Sequence, residues 1–397
     1  MAAFSLMQGL PAFFFTLGLP AILRDRGASL DMVALTYVVW VPLALKWLWA
    51  PFFDCTWSRP FGSRKNWMRG LSVLLAAAFS AVAFFPPEGS AWPLLFLSLS
   101  CAAIGATIQI VLAAWMIENT TSEQRALANT AGVISMVLGG ILGAGLLLEL
   151  NEHFSWSTSV LSISVFILIL SAPAWLLNWG DAANDLVSKS VRYEPLVLWK
   201  RFLTRPKIGW LVCAVLCFGL TAGADALIPA ILVDKGYSPA TTAWLLGTVA
   251  TATVVPASAF VGIALRRFNV LAVAAVIYML KAAVLLILAA SVAMEPRIVV
   301  VLAVLDFCLS GALTVVVWQL YMGLSSPTAA ATDYSVMTSF DAAIRFAGAI
   351  VAGAVGQRLG YPVIFALSGL AAVLACIFCF PLRHLLLDDI QSQSRQP

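Results

Sequence analysis

The chain is 397 residues long, and 61% of them are hydrophobic while only 11% are charged. A soluble domain carries about 25% charged residues, so water cannot be the main solvent here. The net charge of +4 is small and dispersed, without the basic stripe that a nucleic-acid partner requires.

Apolar runs of the roughly 20 residues that a spanning helix needs recur along the whole length. Residues Met1 to Leu23 lack the basic start of a cleavable signal peptide and outrun its usual apolar core, so they read as the first span. Charge-poor runs predict spans near 2–23, 32–53, 68–86, 92–116, 127–148 and 157–178. A second set follows near 208–232, 239–263, 270–292, 298–322, 330–354 and 361–382. Between them lies one long polar connection, Gly180 to Pro206, holding Asp181, Asp185 and six charged residues from Lys189 to Arg205. The expectation is an all-α membrane protein with twelve transmembrane helices. It has an N-terminal six-helix bundle at 1–179, a cytoplasmic linker at 180–206, and a C-terminal six-helix bundle with a short tail at 207–397.

Lysine and arginine set the orientation. Fifteen fall in segments on the side of the termini, including Arg59, Arg64, Lys65, Arg69, Arg125, Arg266 and Arg267, against five (Arg24, Arg26, Lys235, Arg297 and Arg358) on the other. Both ends are therefore expected in the cytoplasm. An internal repeat supports the even span count: Leu19-Pro-Ala-Ile-Leu-Arg-Asp-Arg-Gly-Ala-Ser-Leu30 matches Ile228-Pro-Ala-Ile-Leu-Val-Asp-Lys-Gly-Tyr-Ser-Pro239 at seven of twelve positions, 209 residues apart. Copies six spans apart share one orientation, as in two parallel six-helix repeats related by an axis along the membrane normal.

Two stretches carry a more specific likeness. Leu43-Ala-Leu-Lys-Trp-Leu-Trp-Ala-Pro-Phe-Phe-Asp54, followed by Arg59-Pro-Phe-Gly-Ser-Arg-Lys-Asn-Trp67, resembles the end of span 2 and the following loop in the AmpG-like branch of the major facilitator superfamily. Trp318-Gln-Leu-Tyr-Met-Gly-Leu-Ser-Ser-Pro327, with Thr332-Asp-Tyr-Ser-Val-Met-Thr-Ser-Phe340 and Arg345, resembles its span 10–11 junction, and Gln8-Gly-Leu-Pro11 fits span 1. That branch includes muropeptide permeases, acetyl-CoA transporters and single-chain siderophore permeases of the pyochelin and rhizobactin type. The Gln-Gly-Leu-Pro and Thr-Asp-Tyr-Ser wording is most similar to the siderophore permeases. The resemblance implies a major facilitator fold in a bacterial inner membrane, importing a siderophore or ferric siderophore by proton-coupled alternating access, with an anhydro-muropeptide as the alternative cargo. On span 4 the branch often carries two acidic residues, and here the aligned positions are Gln109 and Ala113.

Ionisable side chains in hydrocarbon cost about 2.5–3.5 kcal/mol each on insertion scales, so each asks for a partner or a watery cavity. Lys46, Asp225, Lys281, Asp306, Asp341 and Arg345 all fall inside spans. Asp341 and Arg345, four apart on span 11, share a helix face and can pair. They form either a substrate-carboxylate binder with its coupling acid or a structural pair. Asp306 and Lys281 lie at depths differing by only ~5 Å at 1.5 Å per residue, so these hairpin neighbours can pair too. Asp225 precedes the repeated Ile-Pro-Ala-Ile-Leu segment and is the preferred proton-coupling residue, with Asp306 and Asp341 beside it as candidates. Lys46 can reach an interface by snorkelling. Substrate contacts are expected from Gln8, Tyr37, Trp40, Gln109, Trp115, Trp318, Gln319 and Arg345, the aromatic members by stacking on a planar ligand. Asp54, Arg59, Arg64 and Lys65 form a short charged loop of the kind that gates the cytoplasmic side. The glycines of span 5, among them Gly132, Gly139, Gly140, Gly143 and Gly145, suit close helix approach.

The sequence shows no Walker motif, metal cluster or nucleophile with an adjacent base, so an enzyme and an ATP-driven pump are both disfavoured. Cys376 and Cys379 form a C-x-x-C, but both flanks are spanning helix and no second ligand pair exists. No cofactor or metal is expected. The expected partners are a small-molecule substrate and the lipid bilayer, with the protein itself a monomer. A membrane sensor with a degenerate transporter fold is the non-transport alternative.

Overall fold

The structure, a computed structural model, describes residues 1–19, 22, 36–54, 63–86, 89–147, 150, 153–177, 195–204, 212, 215–216, 221, 224–237, 241–242, 245–292 and 294–393. Nine helices among the described residues are long and apolar enough to cross a bilayer, and Ala2–Thr16 and Val38–Leu48 are shorter apolar helices. Several of the long helices overrun the expected spans: α5 runs Ala91–Asn119 against an expected 92–116. Hydropathy senses only the hydrocarbon thickness, whereas a helix continues through the headgroups until its backbone is capped. Thr121 supplies such a cap, accepting from the Gln124 backbone N–H while the Gln124 side chain returns to the Thr121 N–H. That capping box separates α5 from α6, Ser122–Gly140.

The chain divides into two compact units, Met1–Phe202 with Met322–Ser339, and Leu203–Tyr321 with Phe340–Pro397. In the first unit, α1 (Ala2–Phe13) packs against α6. A Cβ on Gly139 would meet the Gly9 Cα at 2.9 Å, and one on Gly143 would sit 2.1 Å from the Leu10 carbonyl oxygen. The two backbones therefore meet where no side chain fits.

Span 2, expected as one helix over 32–53, is broken in its described part. A 3₁₀ stretch Thr36–Trp40 leads into α2 (Val41–Leu45), a 3₁₀ turn Lys46–Leu48 and α3 (Ala50–Asp54). Pro42 and Pro51 cause this, because each removes an N–H from the helical ladder. The carbonyl that Pro51 leaves unserved four residues back is Trp47's, and the Trp199 indole N–H donates to it at 3.2 Å. Trp199 comes from α9, the amphipathic helix Pro195–Leu203, which buries Leu198 and Phe202. The first unit continues through α4 (Arg64–Ser80), α7 (Trp156–Leu170) and α8 (Ala172–Leu176). Most of the expected linker, residues 180–194 and 205–206, lies outside the described residues.

In the second unit, a 3₁₀ turn Asp225–Leu227 leads into α10 (Ile228–Asp234), the described end of span 7. Then come α11 (Thr251–Arg267), α12 (Val270–Ser291) and α13 (Pro296–Leu324). The long helices α14 (Ala330–Leu359) and α15 (Tyr361–Gln393) complete it. Asn269 starts α12 by accepting from the Leu271 N–H at 2.9 Å. Its core gathers Ile228, Leu232, Leu285, Leu288, Val299 and Phe365. This core joins the end of span 7 to α12, α13 and α15, and so fixes the helices that carry the interior charges. Of the repeat, the second copy spans Asp225's helix end, while residues 20–21 and 23–30 of the first lie outside the described residues.

Candidate functional site

The interior charges of the second unit meet on one lysine. Lys281, on α12 and only 1% exposed, donates to Asp225 Oδ1 at 2.9 Å, to Asp306 Oδ1 at 2.7 Å and to Ser310 Oγ at 2.6 Å. An ammonium has three N–H donors, so all of them are used. Ser310 lies one helical turn after Asp306 on α13, which places both on the face toward Lys281. Its hydroxyl accepts from the lysine and donates onward to Asp225 Oδ2 at 3.0 Å. The expected Asp306–Lys281 pair therefore forms, and the preferred coupling residue Asp225 joins the same network. Ser310 went unpredicted: a serine on an apolar helix gives no signal unless it is read as the i+4 neighbour of an acid.

The Asp341–Arg345 pair forms as expected, Arg345 Nε donating to Asp341 Oδ2 at 2.9 Å. Arg345 is close enough to act electrostatically on Asp225, and Tyr278 and Tyr321 are close enough to act on Arg345. Two acids with Lys281 and one acid with Arg345 leave three carboxyls to two cations in this unit's interior.

The first unit builds a different centre. Lys46, 2% exposed, donates to Gln109 Oε1 at 2.5 Å and lies 5.8 Å from the centre of the Tyr334 ring. Its ammonium thus turns inward rather than snorkelling to an interface. Beside it, the Trp49 indole N–H donates to Thr107 Oγ1 at 3.2 Å, which joins span 2 to α5 a second time. Gln109, at one of the positions where the family's span 4 acids are expected, offers Lys46 a neutral amide in place of a carboxylate.

The gate residues separate. Arg64 is buried and forms a two-pronged pair with Glu118, Nη2 to Oε1 at 2.7 Å and Nε to Oε2 at 3.3 Å. It also reaches Asp54 Oδ1 at 3.1 Å and the Phe53 carbonyl at 2.7 Å. Asp54 in turn receives the Ala331 N–H at 3.1 Å and both the Thr332 N–H and hydroxyl at 2.7 Å. A carboxylate is thereby set on the first turn of α14, where unsatisfied N–H groups and the helix dipole favour it. Lys65 goes elsewhere, donating to the Leu177 carbonyl. Arg59 lies outside the described residues. Glu118 was missed; the excess of cations in the 2–3 loop was the signal that an acid had to face it.

The same latch accounts for much of the Thr332-Asp-Tyr-Ser stretch. Thr332 binds Asp54, Asp333 accepts the Ser326 N–H at 2.8 Å, and Tyr334 faces Lys46. Arg125 adds a hydrogen bond to the Met322 carbonyl at 3.2 Å. Among the other expected substrate contacts, Gln8 donates to the Phe4 carbonyl of its own helix at 3.2 Å. Trp40 is 40% exposed, Trp115 and Trp318 are half-buried, and Gln319 is buried. The Tyr37 side chain lies outside the described residues. The expected aromatic contacts are distributed over the two units: Trp40 and Trp115 in the first, Trp318 in the second.

Long apolar helices carrying networks of interior charge define a multi-pass membrane protein of the transporter class. Residues 1–349 match the Major Facilitator Superfamily pattern, and the chain belongs to that family. Among curated relatives, it is 24% identical over 384 residues to "Putative transporter AmpG 3" of Rickettsia typhi, covering 91% of this chain and 89% of that protein. It is 26% identical over 172 residues to the anhydromuropeptide permease of Escherichia coli K12, covering 42% of this chain and 35% of the permease. An uncharacterized Haemophilus influenzae protein is 29% identical over 161 residues, and the match spans only 38% of it. The fold superposes on the E. coli fucose:proton symporter (TM-score 0.68, 16% identity, 95% of this chain and 97% of that one). It also superposes on a proton:xylose symporter (TM-score 0.72, 10% identity, 96% and 94%). The chain is thus a major facilitator secondary transporter, similar along most of its length to a protein named as an AmpG transporter.

Proposed function

We propose that this protein imports anhydro-muropeptides across a bacterial inner membrane by proton-coupled alternating access. The observation that carries the cargo is the similarity along nearly the whole chain to an AmpG transporter, joined by the shorter match to a named anhydromuropeptide permease. The siderophore reading rests on the Gln-Gly-Leu-Pro and Thr-Asp-Tyr-Ser wording. Gln8 donates to the Phe4 carbonyl within α1 and Thr332 binds Asp54, so both side chains have partners inside the protein. Siderophore import is therefore the second reading.

Coupling is assigned to Asp225, Asp306 and Asp341, with Lys281 as their shared counter-charge. The support is the count of three acids to two cations among the described interior residues of the second unit, which one proton brings to neutrality. Arg345 is the substrate-carboxylate contact, and the Asp54–Arg64–Glu118 cluster is the cytoplasmic gate. The lysine and arginine bias supports both termini in the cytoplasm and a join between two six-helix repeats at 180–206. The test is accumulation in proteoliposomes under an acid-outside gradient, with labelled anhydro-muropeptide and labelled ferric siderophore offered in parallel. Uptake of the first alone is expected. Uptake of the siderophore alone promotes the second reading, and uptake of neither removes both.

A further inference from the structure

The two carboxyl groups on Lys281 are not equivalent. Asp225 has both oxygens served, Oδ1 by Lys281 and Oδ2 by the Ser310 hydroxyl. Asp306 has only Oδ1 served, by Lys281, and is fully buried. Its Oδ2 is buried without a hydrogen-bond partner among the described residues. A buried ionised carboxylate oxygen without a donor is among the most costly groups a protein can hold, whereas a neutral carboxylic acid in the same place is far less so.

The surroundings sharpen the asymmetry. Asp225 and Asp306 are held on the same Lys281 ammonium, at 2.9 and 2.7 Å, an approach that two negative charges oppose and one proton relieves. Lys281 cannot tip the balance toward two ionised acids, since its single charge is already divided between them. The remaining charged group acting on the pair is Arg345, and it acts on Asp225 while being held by Asp341. Tyr278 and Tyr321 lie near enough to Arg345 to act on it. Among the described residues, the Ser310 hydroxyl on Oδ2 and the nearby Arg345 therefore favour the charge on Asp225.

We infer that the Asp225–Asp306 pair binds one proton and that it resides on Asp306, with Lys281 and Ser310 as positioning residues that keep Asp225 ionised. The inference deepens the proton-coupled reading, and it moves the proton from Asp225, the residue preferred in the sequence analysis, to Asp306. Loss of the proton turns a neutral cluster of one lysine, one carboxylate and one acid into one carrying a net negative charge. The Lys281 ammonium must then serve two full charges, which is the local change able to bias a conformational equilibrium.

The experiment reads the proton directly and needs no transported ligand. Infrared difference spectra of the full-length protein in liposomes, acid minus alkaline, report the C=O stretch of a protonated carboxylic acid. A single band is expected from this cluster. Asp306→Glu should move it, because the side chain that bears the proton sets its frequency, while Asp225→Glu should leave it in place. Asp306→Asn and Asp225→Asn, close in shape to the native side chains, should each abolish it by leaving one acid for one lysine. Ser310→Ala should broaden or split it as the proton gains access to Asp225.

A band that moves with Asp225→Glu instead, that survives Asp306→Asn, or that is absent from the wild type overturns the assignment. Proteoliposome uptake keeps the two ideas apart. If the band behaves as expected but labelled anhydro-muropeptide fails to accumulate with an acid gradient, the proton site stands and the proposed transport reading falls. If gradient-driven uptake is present and the band tracks Asp225, the reverse holds.

Discussion

Among the described residues each unit buries one lysine on a spanning segment, and the contacts around the two differ. Lys281 divides its three donors among two carboxyls and a serine hydroxyl. Lys46 has an amide oxygen and a tyrosine ring among its contacts. The first arrangement can gain or lose a proton without exposing a bare cation, because a second acid stands in reserve. In the second, neither Gln109 nor the Tyr334 ring can take up a charge in this way. The difference teaches where the proposed proton chemistry fits: in the second unit, whose buried lysine is shared by two acids.

The sharpest way to break the comparison is to remove the second unit's lysine. Lys281→Met leaves the buried Asp306 and the half-buried Asp225 without their cation, and removing one partner of a buried ion pair costs roughly 3–5 kcal/mol. Thermal unfolding of the detergent-solubilised protein should show a large drop in Tm. The double variant Lys281→Met with Asp225→Asn should recover a substantial part of it, since charge balance rather than packing is at stake. A single variant as stable as the wild type would mean that the network contributes nothing to the fold.

The parts of this network that were legible in advance are those governed by spacing along one helix or depth within one hairpin. Asp341 with Arg345 follows from i,i+4 geometry, and Asp306 with Lys281 follows from matched depth across the turn between α12 and α13. The closing of the network by Asp225 and Ser310 was not legible, because it depends on how the end of span 7 packs against α12 and α13. Span boundaries were readable from hydropathy to within a few residues. The breakage of span 2 was written in Pro42 and Pro51, but its repair by Trp199, 152 residues away from Trp47, was not. Glu118 escaped for the same reason: its partner Arg64 is 54 positions away in sequence.

A smaller effect is expected where the first unit depends on backbone contact rather than charge. Gly143→Ala would place its Cβ 2.1 Å from the Leu10 carbonyl oxygen, a collision that only a shift of α1 relieves. Overpacking of this kind costs about 1–3 kcal/mol. The same thermal unfolding should register it, with Gly105→Ala, where nothing lies within 4 Å of the new Cβ, as the neutral comparison. Below this comes Asp54→Ala, which strips the first turn of α14 of its cap and should cost about 1 kcal/mol on the scale of such caps. Amide hydrogen exchange at Ala331 and Thr332 should quicken, while exchange in the middle of α12 should not change.

The smallest expected effect decides the most about the comparison. Gln109→Glu gives Lys46 a carboxylate in nearly the same place as the present amide oxygen, as at the acidic span 4 positions of the resembling branch. Stability should change by less than about 1 kcal/mol, because desolvating the new charge offsets most of the attraction it gains. What should change is the response to pH. In the infrared experiment the variant should acquire a titrating carboxyl band in addition to those of the wild type. If transport driven by a pH gradient then keeps its wild-type proton dependence, the first unit is a bystander to coupling, and the glutamine reflects the transfer of that task to Asp225 and Asp306. If the proton dependence alters, Lys46 and position 109 participate, and the division of labour between the two units must be drawn again.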